Sequence, residues 1–532
     1  MDGKKRFEAG QVTNLPVASP GRRRLLQGAA GSLLLPLCYN SAFAQSGTAL
    51  LRAPKLALVI GNSKYAESPL KNPANDARAI AEQLKGLGFA VSVQQDLGRE
   101  PMIKAIQAYA ALLAKSKAVG LFYYAGHGVQ LSWRNFLVPV DAVIDKLEAI
   151  QKRCVDVGAL VEGITKAANP MNVVILDACR DNPFGNERRV EQRGLSQLDA
   201  PPGTLLAYAT APGNVASDGD GANGLYTENL LRELKVPEAK IEDVFKRVRL
   251  GVRRKSNGQQ IPWESTSLEE DFYFLPPEYL KKLSEDEKKK LFEQELSLWE
   301  SIKSSKVPAP LEDYLRRYPS GEFAELAQLQ LDRALAREGE KKIRIASQEG
   351  NPYTKGSAEA DTAYKVGDRY TYRRLDMYSK AETGRVSQTV AKITDNEVIF
   401  NRGGVTDLLG NPLRANDGRR FSPHQRLPLE YALGKQWHTR FRVTFPNGEL
   451  ADTELALKIT ARERIDVPAG TFDAFRVEID GVSYGRIGNV RVYGGFWRAP
   501  AVRLPIVRID HRVGGWGTVA AERYELVSFK QG

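Results

Sequence analysis

A chain of 532 residues is too long for one ordinary core and points to about two to four domains. With 42% hydrophobic and 26% charged residues it is neither disordered nor membrane-embedded. The net charge of +12 falls to about +8 once residues 1–44, with six Lys/Arg and two Asp/Glu, are set aside; no aromatic-interleaved basic stripe follows, so no nucleic-acid partner is expected.

The first predicted element is an export signal over residues 1–44. Arg22, Arg23 and Arg24 precede a short apolar run that ends at the small-x-small site Ala42-Phe43-Ala44. That run is too short to span a bilayer, so no transmembrane segment is expected in the mature chain. The arginine pair followed by x-Leu-Leu-Gln resembles a twin-arginine signal, with Leu25 where Phe is commoner. It implies a bacterial periplasmic or secreted location. Leu37 before Cys38 matches a lipoprotein site poorly, which favours cleavage after Ala44. Cys154 and Cys179 then remain, too few for a disulfide framework. A single bridge between them is a competing use of Cys179.

Residues 50–276 alternate strand and helix signals. "KLALVIGN", "FAVSVQQ", "AVGLFYYA", "NVVILDA" and "GTLLAYAT" are short apolar runs, and "ANDARAIAEQLKGLG" places Ala77, Ile80, Ala81 and Leu84 at helical spacing. Such alternation predicts an α/β domain, a mostly parallel sheet flanked by helices, with "FYFLPP" as its last strand. Residues 278–346 read as helical. A capping box at Ser284 and Glu287 opens one helix, and "APLEDYLRRYPSGEFAELAQLQLDRAL" gives two more around a Pro-Ser-Gly turn. The pattern is similar to a tetratricopeptide-like helical hairpin, as a single unit that packs on a neighbouring domain. Residues 347–361 read as a polar linker. Residues 362–532 alternate in period two and predict an all-β domain, a sandwich or curved sheet.

The chemistry gathers in the α/β domain. Its third strand ends "LFYYAGHGVQ" and its fourth "VILDACRD", and parallel strands end along one rim. His127 and Cys179 are therefore expected to meet there, although 52 residues separate them. No other histidine precedes residue 424. An imidazole can take the proton of a thiol and make it nucleophilic. Gly126 and Gly128 leave room for a substrate backbone, and the amides of Gly128 and Cys179 are candidate oxyanion donors. The competing readings are a core histidine bonded to backbone and an inert buried thiol.

"YYAGHG" and "DACRD" resemble the signatures of the caspase-like cysteine peptidases, including metacaspases and their bacterial relatives. "LVIGNSKYAESPLKNPANDARAIAEQLKGLGF" resembles that family's first strand, loop and helix. The resemblance covers about residues 55–275 and implies an α/β caspase-like fold and endopeptidase activity by a His127–Cys179 dyad. Metacaspases take Arg or Lys at P1 with an Asp two residues before the cysteine and another in an Asn-Asp pair, matched here by Asp177 and Asp76. A serine commonly found two before the histidine is Ala125. Two carboxylates attract a guanidinium, so protein or peptide substrates with a basic P1 residue are expected. Asp177 could instead cap its turn, and Asp76 could N-cap its helix.

If that pocket takes Arg, the loop "GNERRVEQRGL" offers self-cleavage after Arg189 or Arg193; a solvated surface loop is the other reading. "SDGDGANG", residues 217–224, looks like a partial calcium loop without the far Glu, and a flexible substrate-side loop is preferred. No cofactor or resident metal is expected, and calcium activation rests on that loop alone. Cys154 lies in a segment read as a polar linker and receives no role. The competing function is a catalytically silent caspase-fold scaffold or binding protein of the cell envelope.

Overall fold

The structure is a computed structural model that describes residues 50, 52–179, 194–212, 214, 221–277, 284–341, 350–486, 488–514 and 517–532. The export signal at 1–44, the cleavage candidates Arg189 and Arg193, and residues 217–220 of the 217–224 loop lie outside the described residues.

The sheet of the first domain runs β1 (Lys55–Gly61), β2 (Ala90–Gln95), β3 (Val119–Leu131), β4 (Arg134–Leu137), β5 (Val155–Asp156), β6 (Met171–Cys179), β7 (Thr204–Tyr208) and β8 (Trp263–Thr266). Its spatial order is β2-β1-β3-β6-β7-β8, parallel except for the antiparallel β7·β8 pair, while β4 and β5 extend antiparallel from β3. The helices are α1 (Pro73–Gly86), α2 (Arg99–Ser116), α3 (Ala149–Arg153), α4 (Val157–Lys166), α5 (Leu225–Glu233) and α6 (Ile241–Lys255).

Alternation explains why the strands read as unbroken apolar runs. In β6, Val173 and Ile175 join the core built with α1, α5 and α6, while Val174 and Leu176 join the core built with α2 and α4. Each of these four side chains is at most 1% exposed, worth about 1.5–3 kcal/mol apiece relative to exposure. Such burial on both faces locks the register that carries the site.

Two expectations fail in this domain. "FYFLPP" forms no strand beyond a single bridge between Lys240 and Tyr273; Phe272 and Phe274 instead plug the core, and β8 closes the sheet. The period-two pattern there reflects two aromatic anchors rather than a ladder. Cys154 is no linker residue: it is 2% exposed between α3 and β5, packed with Val129, Phe136 and Ile150. It is a free thiol, so the structure carries no Cys154–Cys179 bridge, and burial pushes its pKa up to about 12.

Three helices follow: α7 (Glu285–Ile302), α8 (Pro308–Arg317) and α9 (Ala324–Arg337). Ser284 and Glu287 form the capping box. Trp299 stacks on Phe323 at 5.8 Å between centroids. The Arg253 guanidinium of α6, 7% exposed, pairs with Asp332 of α9 at 2.6 Å and with Glu340 at 2.7 Å. Arg253→Met strips both acids of that guanidinium and is expected to cost about 3 kcal/mol, read as a lower urea midpoint at unchanged slope.

The last domain is a closed barrel, not a sandwich or an open curved sheet. Its first strand, Arg369–Asp376, pairs both with Glu382–Ile393 and with the last strand, Gly517–Lys530. Bulges at Arg374/Leu375 and Ile459/Ala461 add bend and twist that help carry the sheet round until its edges meet. Inward apolar and outward polar residues alternate in a sandwich too, so alternation alone cannot tell the two apart. The described part of the segment read as a linker, from residue 350, is docked: Ser357–Glu359 pairs with Glu430–Ala432, and Tyr353 O accepts from Asp199 N at 3.1 Å. Among the described residues no helix is long and apolar enough to cross a membrane.

Candidate active site

β1 and β6 bracket β3, and their registers place the site. Gly61 pairs with Ala125 as the β1 contact ends, and Ala125, Gly126 and His127 pair in turn with Asp177, Ala178 and Cys179. His127 and Cys179 are thus opposite one another on neighbouring strands. The third strand runs on past the histidine, as "LFYYAGHGVQ" suggested. It continues to Leu131 and turns its ladder onto β4, so His127 sits in strand backbone where the parallel sheet stops.

His127 is 3% exposed and held from several sides. Its Nε2 lies 2.7 Å from Ser68 O, and a carbonyl only accepts, so Nε2 carries the hydrogen. In the neutral ring Nδ1 is then the basic nitrogen. The His127 N–H donates to the Tyr65 hydroxyl at 2.9 Å, and the Tyr124 hydroxyl donates to His127 O at 2.8 Å. Tyr65 also packs on the imidazole with centroids 4.4 Å apart. The 62–74 loop that brings Ser68 is itself pinned: Asp96 Oδ1 accepts from Ser63 N and Lys64 N, both at 2.9 Å. Ser68 has φ 57°, a left-handed conformation uncommon for a side-chain residue. Sequence reasoning missed Ser68, Tyr65 and Tyr124, because a carbonyl acceptor has no residue-type signature.

The two glycines serve the protein's own packing. Gly126 has φ 154°, and a Cβ there would lie 2.6 Å from the Tyr65 hydroxyl and 2.7 Å from that of Tyr124. Those are the hydroxyls that hold His127, so this glycine makes room for its supports rather than for a substrate. Gly126→Ala is expected to cost about 2–3 kcal/mol and to move the imidazole, seen as a lower melting temperature and a shifted histidine NMR signal. At Gly128 a Cβ would meet Ala178 Cβ at 2.9 Å. The Val138 N–H donates to His127 O, which makes 128/137 the pair without mutual hydrogen bonds in that ladder. The Gly128 N–H therefore points away from β4, toward the side on which β6 ends at Cys179.

Asp76 and Asp177 converge on α5. Asp76 lies in the first turn of α1, 3% exposed, so it does not cap that helix, which starts at Pro73. Its Oδ1 instead accepts from Gly224 N at 3.0 Å and Asn223 Nδ2 at 2.8 Å, at the start of α5. Gly61 lets α1 approach: a Cβ there would lie 2.3 Å from Pro73 O. Asp177, within β6 rather than in a turn, accepts on Oδ2 from Thr227 Oγ1 at 2.6 Å and from the Tyr123 hydroxyl at 3.3 Å. Tyr123 lies 2.6 Å from Thr227 Oγ1 as well. Burial first, then the charges of Asp177 and Asp76, push the Tyr123 phenol well above its ordinary value. Both carboxylates therefore act on one hydroxyl. Thr227, Tyr123 and Asn223 escaped the sequence reading, since their roles depend on α5 folding back against β3 and β6. Among the described residues no three His, Cys, Asp or Glu side chains group as a metal site.

A mostly parallel sheet flanked by helices, with a histidine and a cysteine opposite one another at its rim, defines an α/β domain that carries the residues for thiol chemistry. The comparisons with known proteins narrow it: residues 54–273 match the caspase domain family, so the chain carries a caspase-like peptidase domain over less than half its length. The human mucosa-associated lymphoid tissue lymphoma translocation protein 1 is 31% identical over 195 residues, 35% of this chain and 23% of that protein. Its mouse homologue is 31% identical over 201 residues, 36% of this chain and 23% of the homologue. Mouse caspase-1 is 23% identical over 239 residues, 42% of this chain and 60% of caspase-1. The chain spans about a quarter of the length of the first two. Among solved structures the Drosophila initiator caspase Dronc is similar at 12% identity and a TM-score of 0.32, covering 42% of this chain and 83% of that one.

Proposed function

We propose that the protein is a cysteine endopeptidase that cleaves after Arg or Lys. The observation that carries the reading is the pairing of His127 with Cys179 across adjacent strands of a caspase-like domain. In this reading Nδ1 of His127 takes the thiol proton while Ser68 O holds the other ring nitrogen, and the thiolate of Cys179 attacks the scissile carbonyl. The Gly128 and Cys179 amides donate to the developing oxyanion, and the imidazolium returns its proton to the leaving amine. Asp76 and Asp177 supply the negative potential for a basic P1 side chain. Export through the residue 1–44 signal to a periplasmic or extracellular site belongs to the same proposal.

The test is hydrolysis of fluorogenic peptides with Arg, Lys, Asp or Leu at P1, under reducing conditions, with and without calcium. Cleavage of the Arg and Lys peptides, lost in Cys179→Ala, is the expected result. If the wild type cleaves none of them, the silent scaffold takes its place.

A further inference from the structure

The barrel has an unusual inside. On the strands Gln436–Thr444, Leu450–Val467 and Gly470–Gly485 the inward face is apolar, with Phe441, Leu455 and Val477 at most 4% exposed. Phe496 shares that face, and the pairing Phe496↔Arg508 carries it onto the strand Val507–Gly514. Arg498, two residues beyond Phe496, and Asp510 and Arg512, in step with Arg508, therefore point inward too. The segment 422–429 runs inside the barrel and brings Arg426: His424 stacks on Phe441 at 4.1 Å, and Leu427 joins the interior cluster. The outer wall carries ion pairs such as Arg442–Asp452 and Arg491–Asp480.

The inner charges do not balance. Arg508 pairs with Asp510 at 3.1 Å, and Asp510 is the carboxylate whose charge acts on Arg426. Among the described residues neither Arg426 nor Arg512 has a carboxylate within ion-pair distance. Glu522 also faces inward, opposite Asp510, but pairs with Arg374 at 3.4 Å, so the three guanidiniums around Asp510 leave two positive charges. Burial, reinforced by Arg508 and Arg512 against the pull of Asp510, brings Arg426 down to about 10. Arg498 lies nearby, since the charges of Arg498 and Arg508 both act on Tyr372, and it shares Tyr364 with the carboxylates of Asp407 and Asp361. Arg498 is 1% exposed, and its Nε and Nη1 meet no hydrogen-bond partner. A buried guanidinium with open donors costs several kcal/mol unless an acceptor arrives. Yet the lumen is reached from outside, since the inward Arg508 side chain is 46% exposed.

We propose that the barrel lumen binds a phosphate monoester dianion at Arg426, Arg498, Arg508 and Arg512, carried by a free small molecule or by a lipid headgroup. The charge of −2 matches the local excess, and planar guanidiniums suit its oxygens. The site stands apart from the peptidase chemistry and does not depend on it.

The test uses the full chain in calorimetry with glycerol phosphate and inorganic phosphate, and in flotation with phosphatidylcholine vesicles with or without phosphatidic acid. One saturable site is expected, weakened at least about tenfold by Arg426→Gln or Arg512→Gln and unchanged by Arg491→Gln on the outer wall. Heat with the free ester identifies a soluble ligand; flotation only with phosphatidic acid identifies a headgroup. Should a glutamine variant fail to fold, Arg426→Lys, which keeps the charge and loses the planar fork, is expected to weaken binding about fivefold. Absence of saturable binding in both formats, or binding indifferent to the lumen variants, overturns the proposal.

Discussion

Cys179→Ala is expected to lower kcat/KM on an Arg-X peptide by at least about 10⁴-fold, more than 5 kcal/mol of transition-state stabilisation, with the melting temperature nearly unchanged. Alanine keeps the strand-end backbone and the amide proposed as an oxyanion donor, so the change removes the nucleophile and little else. His127→Ala is expected to cost a similar factor. The double variant should be barely worse than either single one, because a nucleophile and its base act as a unit. Steady-state rates on one fluorogenic substrate test all three variants. Additive losses, or residual wild-type turnover in Cys179→Ala, would contradict the dyad.

Asp177→Asn carries the second large effect. It preserves shape and removes one of two negative charges beside α5, so cleavage after Arg is expected to fall about 10²-fold. Cleavage after Leu should change little, and the selectivity ratio separates a pocket role from general damage. Thr227→Val should act in the same direction by about five- to tenfold, since it removes the 2.6 Å hydrogen bond that orients the carboxylate, and Thr227→Ser should restore it. Equal losses on the Arg and Leu peptides would instead mean that Asp177 supports the strand and not the substrate.

Legibility in the sequence followed the range of the interaction involved. "VVILDAC" announces a strand buried on both faces, because four apolar residues in a row cannot all point one way. The helix of Ala77, Ile80, Ala81 and Leu84 shows itself by spacing, and the box at Ser284 and Glu287 by local chemistry. Each of those signals is complete within about a dozen residues. The errors have the opposite character. Phe272 and Phe274 alternate like a strand but are core plugs, and Cys154 sits among polar residues yet packs inside. Neighbours distant in the chain decide both cases.

The same division runs through the site. His127 and Cys179 were legible as a pair from their motifs and from the rule that parallel strands end on one rim, and the β3·β6 register sets them side by side. The Ser68 carbonyl, the Tyr65 and Tyr124 hydroxyls and Thr227 were not legible. Their part is to offer an acceptor or a donor at one point in space, and many residue types or the backbone itself could do so.

What the chain determined by itself is therefore local: the order of strands and helices, the face each one buries, and which side chains have reactive chemistry. Closure of the last domain into a barrel, the rotation of Asp76 onto the start of α5 and the crowding of unbalanced arginines in a lumen came only with the tertiary structure. Period-two alternation is the same in a sandwich and in a barrel. Only the pairing of Arg369–Asp376 with Gly517–Lys530, across some 150 residues, removes the edges and turns one face of every strand toward a shared interior.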